Sequence, residues 1–261
     1  ESTGGSISCP AAFTGTVGLT PTYGRISRWG LVDYANSLDK IGFIGKSVYD
    51  VALMLSVTAG SDSHDSTSLN IPAEDFTKYL NGSMKGVKIG VPKEYFSGID
   101  EKISKVVWAA IKKLEDMGAT YKEISLPHSE YALPSYYIIA VSEASTNLAK
   151  YSGMRYGLQP EMSGNFDQYF SSVRSKAFGE EAKRRIVLGT FARMAGYRDA
   201  YYLKALKVRT KVIEDFKKAF KKFDILAAPT MPVVAPRFDE IAKLSPIENY
   251  MMDVLTVAPN L

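Results

Sequence analysis

Cysteine is almost absent from this sequence. Cys9 stands alone among 261 residues, so no internal disulfide can form, and with only His64 and His128 beside it there is no ligand cluster for a structural metal. Also missing is any run of about 18 uncharged apolar residues that would span a bilayer. The opening Glu1-Ser2-Thr3-Gly4-Gly5 has neither the basic nor the apolar segment of an export signal. Charge of one sign is in short supply too: 32 Lys+Arg against 28 Asp+Glu leave a net +4, too little for a dedicated nucleic-acid binder. The opening Gly/Ser segment has neither the Gly-Lys-Ser/Thr of a phosphate loop nor a G-x-G-x-x-G turn, and the G-x-S-x-G elbow is absent. The chain opens directly in a Gly/Ser motif and stops at Pro259-Asn260-Leu261, which reads as a piece of something longer.

What is present describes a globular protein. Hydrophobic residues make up 46% and charged residues 23%, with 20 Gly and 12 Pro, and this length is one large domain or two small ones. Ser47-Val48-Tyr49-Asp50 opens a helix in the manner of a capping box, with Val48, Val51, Ala52 and Leu55 on one face and Gly60 closing it. The Ser- and Asp-rich stretch 60–68 is a loop, with His64 a loop residue. Residues 87–92 read as a strand, 100–117 as a helix stopped by Gly118, and 119–126 as a second strand. That βαβ unit implies a parallel pairing. Helical spacing then runs over about 135–151, 175–194 and 199–223, and 224–229 reads as a buried strand ended by proline. The expected fold is α/β, a mixed sheet covered by helices on both faces, in one domain over 1–261. Nine basic residues between Arg198 and Lys222 face three acidic ones. This is either a solvated helix face or a surface for an acidic partner or nucleic acid.

Chemistry concentrates at the first residues. In Ser2-Thr3-Gly4-Gly5-Ser6-Ile7 two glycines precede a serine, and such a backbone can turn several N–H groups toward one point. The result is a plain surface turn, an anion cradle or an oxyanion hole. Acyl transfer needs a base for the serine and donors for the oxyanion. Neither histidine has a distinctive setting, so a nucleophilic Ser6 would rely on another base, such as a lysine acting through a second serine.

The segment Ser2-Thr3-Gly4-Gly5-Ser6-Ile7-Ser8-Cys9-Pro10-Ala11-Ala12-Phe13, continued by Gly15-Thr16-Val17-Gly18-Leu19-Thr20-Pro21-Thr22-Tyr23-Gly24-Arg25, closely resembles the amidase signature family. The likeness runs on through Ser37-Leu38-Asp39-Lys40-Ile41-Gly42, Ser142-Glu143-Ala144-Ser145-Thr146-Asn147-Leu148 and Phe178-Gly179-Glu180-Glu181-Ala182-Lys183-Arg184-Arg185-Ile186. It covers effectively the whole chain and is greatest to the glutamine-using members of tRNA-dependent amidotransferases.

The resemblance implies that Ser6 is the nucleophile on a side-chain amide and that the N–H groups of Thr3, Gly4, Gly5 and Ser6 hold the oxyanion. It implies a lysine base and an assisting serine N-terminal to the double glycine, both outside these 261 residues, so that this piece alone is expected to be inactive. Truncation at both ends relative to the family is likewise expected. Ser2 stands where the family usually has Asp, and Ser8 where it usually has Arg. By similarity Arg185 grips a glutamine carboxylate, Asp253 its ammonium, and Tyr136 lines the pocket, with a one-residue register open at Tyr136/Tyr137 and Arg184/Arg185. No metal or organic cofactor is implied for this subunit, with ATP and Mg used by a partner. The implied partners are subunits B and C and, through the complex, tRNA; the implied location is the cytoplasm. A stand-alone amidase acting on another amide and a non-catalytic scaffold are the alternatives.

Overall fold

The structure, a computed structural model, describes residues 1–261. The chain divides into two compact units, one of Glu1–Leu31, Leu38–Tyr136 and Val208–Leu261, the other of Val32–Ser37 and Tyr137–Lys207.

The first unit begins with α1 (Ser8–Thr14) and the short strands β1 (Val17–Leu19) and β2 (Phe43–Gly45), which pair antiparallel with Val17 opposite Gly45. Helix α2 (Val48–Thr58) starts where its capping box predicts: Ser47 Oγ accepts from the Asp50 N–H, and the Asp50 carboxylate accepts from the Ser47 N–H. Then come β3 (Lys88–Pro92), α3 (Glu101–Asp116) and β4 (Thr120–Ile124), the expected βαβ unit. β3 pairs in parallel with β4, Lys88 opposite Thr120, and on its other side with β5 (Ile225–Leu226). As the central strand it is buried after its first residue, with Ile89 and Val91 fully enclosed. Val107, Trp108, Ile111 and Leu114 of α3 pack on that strand together with Ala119 and Tyr121. Gly118, at φ +101°, turns the chain out of α3 in a conformation that side chains rarely adopt.

Helix α4 (Ala132–Asn147) has its first residues in the first unit and the remainder in the second. The second unit continues with α5 (Phe166–Ala177), α6 (Glu180–Arg193) and a π-helical turn over Asp199–Leu203. Helix α7 (Lys204–Phe220) returns the chain to the first unit, which ends with β5, α8 (Phe238–Ile241) and α9 (Pro246–Met251). No helix is long and apolar enough to cross a membrane.

The α/β class, with both parallel and antiparallel pairing, agrees with the sequence reading; the two kinds of pairing fall in two separate sheets. Two elements differ in extent. The helix expected over 175–194 is two helices, because Phe178 and Gly179 are extended and Gly179 caps a new first turn bearing Glu180 and Glu181. The strand expected over 224–229 keeps only two paired residues before the chain turns off toward Pro229.

Candidate active site

The double-glycine segment is braced from three directions within the first unit. Ser2 and Lys40 exchange both backbone hydrogen bonds, at 2.7 and 2.9 Å. Thr3 Oγ1 donates to Oδ1 of Asp39 at 2.7 Å, and Asp39 is completely buried. Asn260 Nδ2 donates to the Gly4 carbonyl at 2.5 Å across a separation of 256 residues. A hydrogen bond to a buried charged group contributes about 1.5–3 kcal/mol, so the Thr3–Asp39 contact is the strongest single tie. The Gly5 carbonyl accepts from Cys9 N–H as the chain enters α1.

Held this way, the segment keeps its donors uncommitted. The N–H groups of Thr3, Gly4, Gly5 and Ser6 donate to no acceptor in the protein, and Ser6 is exposed with no hydrogen bond on its hydroxyl. Unsatisfied backbone donors close to a presented hydroxyl are what an oxyanion site requires.

The glycines are explained by space. Neither Gly4 nor Gly5 has a positive φ. A Cβ on Gly4 would lie 2.7 Å from Tyr136 Oη; one on Gly5 would lie 2.6 Å from Thr256 Oγ1 and 2.8 Å from Asp253 Oδ1. Two of the residues expected in the pocket, Tyr136 and Asp253, therefore touch the segment that carries Ser6. Tyr136 is buried at the start of α4, and it rather than Tyr137 meets Gly4.

Cys9, three residues past Ser6, does not compete as a nucleophile. Burial, reinforced by the negative charge of Asp253, pushes its thiol up to about 11, so it stays protonated at neutral pH. The histidines are occupied elsewhere: His64 Nδ1 pairs with Asp62 in the exposed loop and His128 Nδ1 with Asp215, each at 2.9 Å.

Arg185 lies in the second unit, on α6. Its Nε donates to Glu181 at 2.7 Å, one Nη donates to Tyr34 Oη at 3.1 Å, and its guanidinium lies over the Tyr34 ring, 5.5 Å from the centroid. Burial opposes the charge, but Tyr34 and Glu181 outweigh it and raise the guanidinium above its ordinary range. Arg184 pairs with the same Glu181 from a more exposed position, 41% against 27%. Of the two, Arg185 is the more enclosed.

Sequence reasoning assigned no role to Asp39, Thr256 or Asn260. Asp39 lay in a motif already singled out, but its partnership with Thr3 spans 36 residues and is visible only once the chain has folded.

A presented serine beside uncommitted backbone donors is the kind of arrangement that acyl transfer through a serine uses. The family model "Amidase" matches residues 2–261. The A subunit of glutamyl-tRNA(Gln) amidotransferase from Carboxydothermus hydrogenoformans is 54% identical over 99% of this chain and 53% of its own length. The protein of the same name from Methanosarcina barkeri is 53% identical over 99% of this chain and 54% of its own. Among solved structures, the corresponding glutamyl-tRNA(Gln) amidotransferase chain from Thermotoga maritima superposes with a TM-score of 0.77 at 36% identity, covering 98% of this chain and 51% of that one. The chain belongs to the amidase family. It spans about half the length of the curated relatives it matches.

Proposed function

We propose that these 261 residues carry the nucleophile-bearing half of a glutaminase, in the subunit of a tRNA-dependent amidotransferase that releases ammonia for converting Glu-tRNA(Gln) to Gln-tRNA(Gln). The observation that carries the reading is Ser6, exposed and unbonded beside four free N–H donors, in a chain 54% identical to a subunit of such an amidotransferase.

Ser6 Oγ attacks the side-chain amide carbon of glutamine and loses its proton to a base. The amide oxygen gains the negative charge, which the N–H groups of Thr3, Gly4, Gly5 and Ser6 stabilise as hydrogen-bond donors. Collapse expels ammonia, which takes up a proton, and leaves a γ-glutamyl ester on Ser6 that water then hydrolyses. Asp253 faces the substrate ammonium and Tyr136 forms a wall; Arg185, kept charged by Tyr34 and Glu181, pairs with the carboxylate. By resemblance to the amidase signature family, the base is a lysine acting through a serine, both N-terminal to the double glycine and outside these residues, and the 261-residue piece alone is expected to be inactive.

These steps need no metal or organic cofactor in this subunit. ATP and Mg are assigned to a partner, and subunits B and C, with tRNA through them, are the proposed assembly in the cytoplasm. The test is glutamine hydrolysis by the product of the whole gene: turnover that disappears in Ser6→Ala supports the reading, and turnover unchanged by that substitution overturns it.

A further inference from the structure

The nucleophile segment has a second side. Against it opens a cavity of about 520 Å³ whose lining includes Ser8, Thr20, Lys40, Thr256 and Asn260. Thr256 and Asn260 connect this lining to the segment, one close to Gly5 and the other bonded to the Gly4 carbonyl.

Lys40 is the unusual group in this lining. The residue is only 8% exposed, its backbone is locked to Ser2 in both directions, and its ammonium makes no hydrogen bond or ion pair with any protein group. The adjacent Asp39 carboxylate is engaged by Thr3. Burial, then repulsion from Arg209 on α7, lower the Lys40 amine to about 8 despite the attraction of Asp39. Tyr95, also in the lining, is buried and its phenol is held up at about 12, so it brings no negative charge near neutral pH. Two neutral hydroxyls remain available: Ser8 has no hydrogen bond on its side chain, and the buried Thr20 Oγ1 has no partner. An enclosed ammonium that no carboxylate pairs directly is costly, and a bound anion relieves that cost.

We propose that this cavity, whose lining includes none of Tyr136, Arg185 and Asp253, is a carboxylate-binding site in which Lys40 is the recognising cation and Ser8 and Thr20 supply neutral hydrogen bonds. The carboxylate is either a free small acid or an acidic side chain of a polypeptide segment outside residues 1–261. The site stands whether or not glutamine is the substrate at Ser6.

Competitive acetylation of lysines by acetic anhydride, read by peptide mass spectrometry across neutral and alkaline pH, tests it on the unmodified chain. Sodium malonate, against sodium chloride at matched ionic strength, is expected to slow Lys40 labelling severalfold and move its titration upward, because a bound anion favours the ammonium. The exposed Lys112 and Lys221 serve as internal controls. The whole-gene product identifies the source: protection without malonate marks a polypeptide carboxylate, and protection only with malonate marks a free acid. Lys40 labelling indifferent to malonate in the chain and unprotected in the whole product overturns the proposal. In Lys40→Gln the malonate-dependent rise in Tm is expected to vanish; a rise equal to that of the parent chain also overturns it.

Discussion

The segment around Ser6 and the surroundings of Arg185 solve the same problem, holding a reactive or charged group in place, by opposite means. Ser6 is positioned by backbone: a two-bond bridge from Ser2 to Lys40, a buried carboxylate on Thr3 and an amide on Gly4 fix the chain, while the serine side chain itself makes no hydrogen bond. Arg185 is positioned by side chains: one helix turn supplies Glu181, and Tyr34 supplies a hydroxyl and a ring face. The first arrangement leaves the hydroxyl that we propose as nucleophile free to move a proton and form a bond. The second orients a planar cation whose fork can meet a carboxylate with two parallel hydrogen bonds.

That contrast predicts where each region breaks. The largest effect is on Ser6→Ala, expected to lower glutamine turnover of the whole-gene product by about four orders of magnitude or more. Its Tm should stay nearly unchanged, because the side chain is exposed and unbonded. A comparable loss of Tm and turnover would mean that Ser6 is structural. Next, Gly5→Ala should destabilise by about 1–3 kcal/mol in urea unfolding, since the new methyl would press on Thr256 and Asp253 at 2.6 and 2.8 Å. A neutral result would refute the close-approach explanation of that glycine. Thr3→Val, which removes the donor to the buried Asp39, should cost about 1.5–3 kcal/mol in the same assay. Arg185→Lys keeps the charge but loses the planar fork, and is expected to raise KM for glutamine several-fold with a smaller change in kcat. An unchanged KM would favour an amidase acting on another amide.

The last effect concerns pH. Lys40 titrates near 8 in the folded protein against an ordinary 10.5. Between those values the unfolded chain binds the extra proton, so stability contributed by this group rises with pH across that window and is lowest below 8. The difference in unfolding free energy between the parent chain and Lys40→Gln should therefore grow in the parent's favour from pH 8 to 10.5. A difference that is flat in pH would contradict the burial of that amine.

How much of this was legible beforehand depends on the distance over which each feature is encoded. The α2 capping box and the βαβ unit from β3 to β4 rest on neighbours within a few turns, and both stand in the structure as read. The break at Phe178 and Gly179 was hidden because apolar residues continue at helical spacing across it, while a glycine cap overrides the pattern. β1 and β2 are three residues each and contain glycine, too short for a period of two to register. At the site, Ser6 and its glycines were conspicuous, but the reason for the glycines was not: Tyr136, Asp253 and Thr256 are more than a hundred residues away in sequence and become neighbours only by folding. Asn260 on Gly4 is the extreme case.

The central claim is that Ser6, presented by a braced backbone, forms the covalent bond to the substrate. Quenching the whole-gene product during glutamine turnover and mapping the adduct by peptide mass spectrometry addresses it most directly. The account predicts a γ-glutamyl ester on the peptide containing Ser6, absent in Ser6→Ala. An adduct on any other residue, or turnover that persists without one in Ser6→Ala, would contradict it.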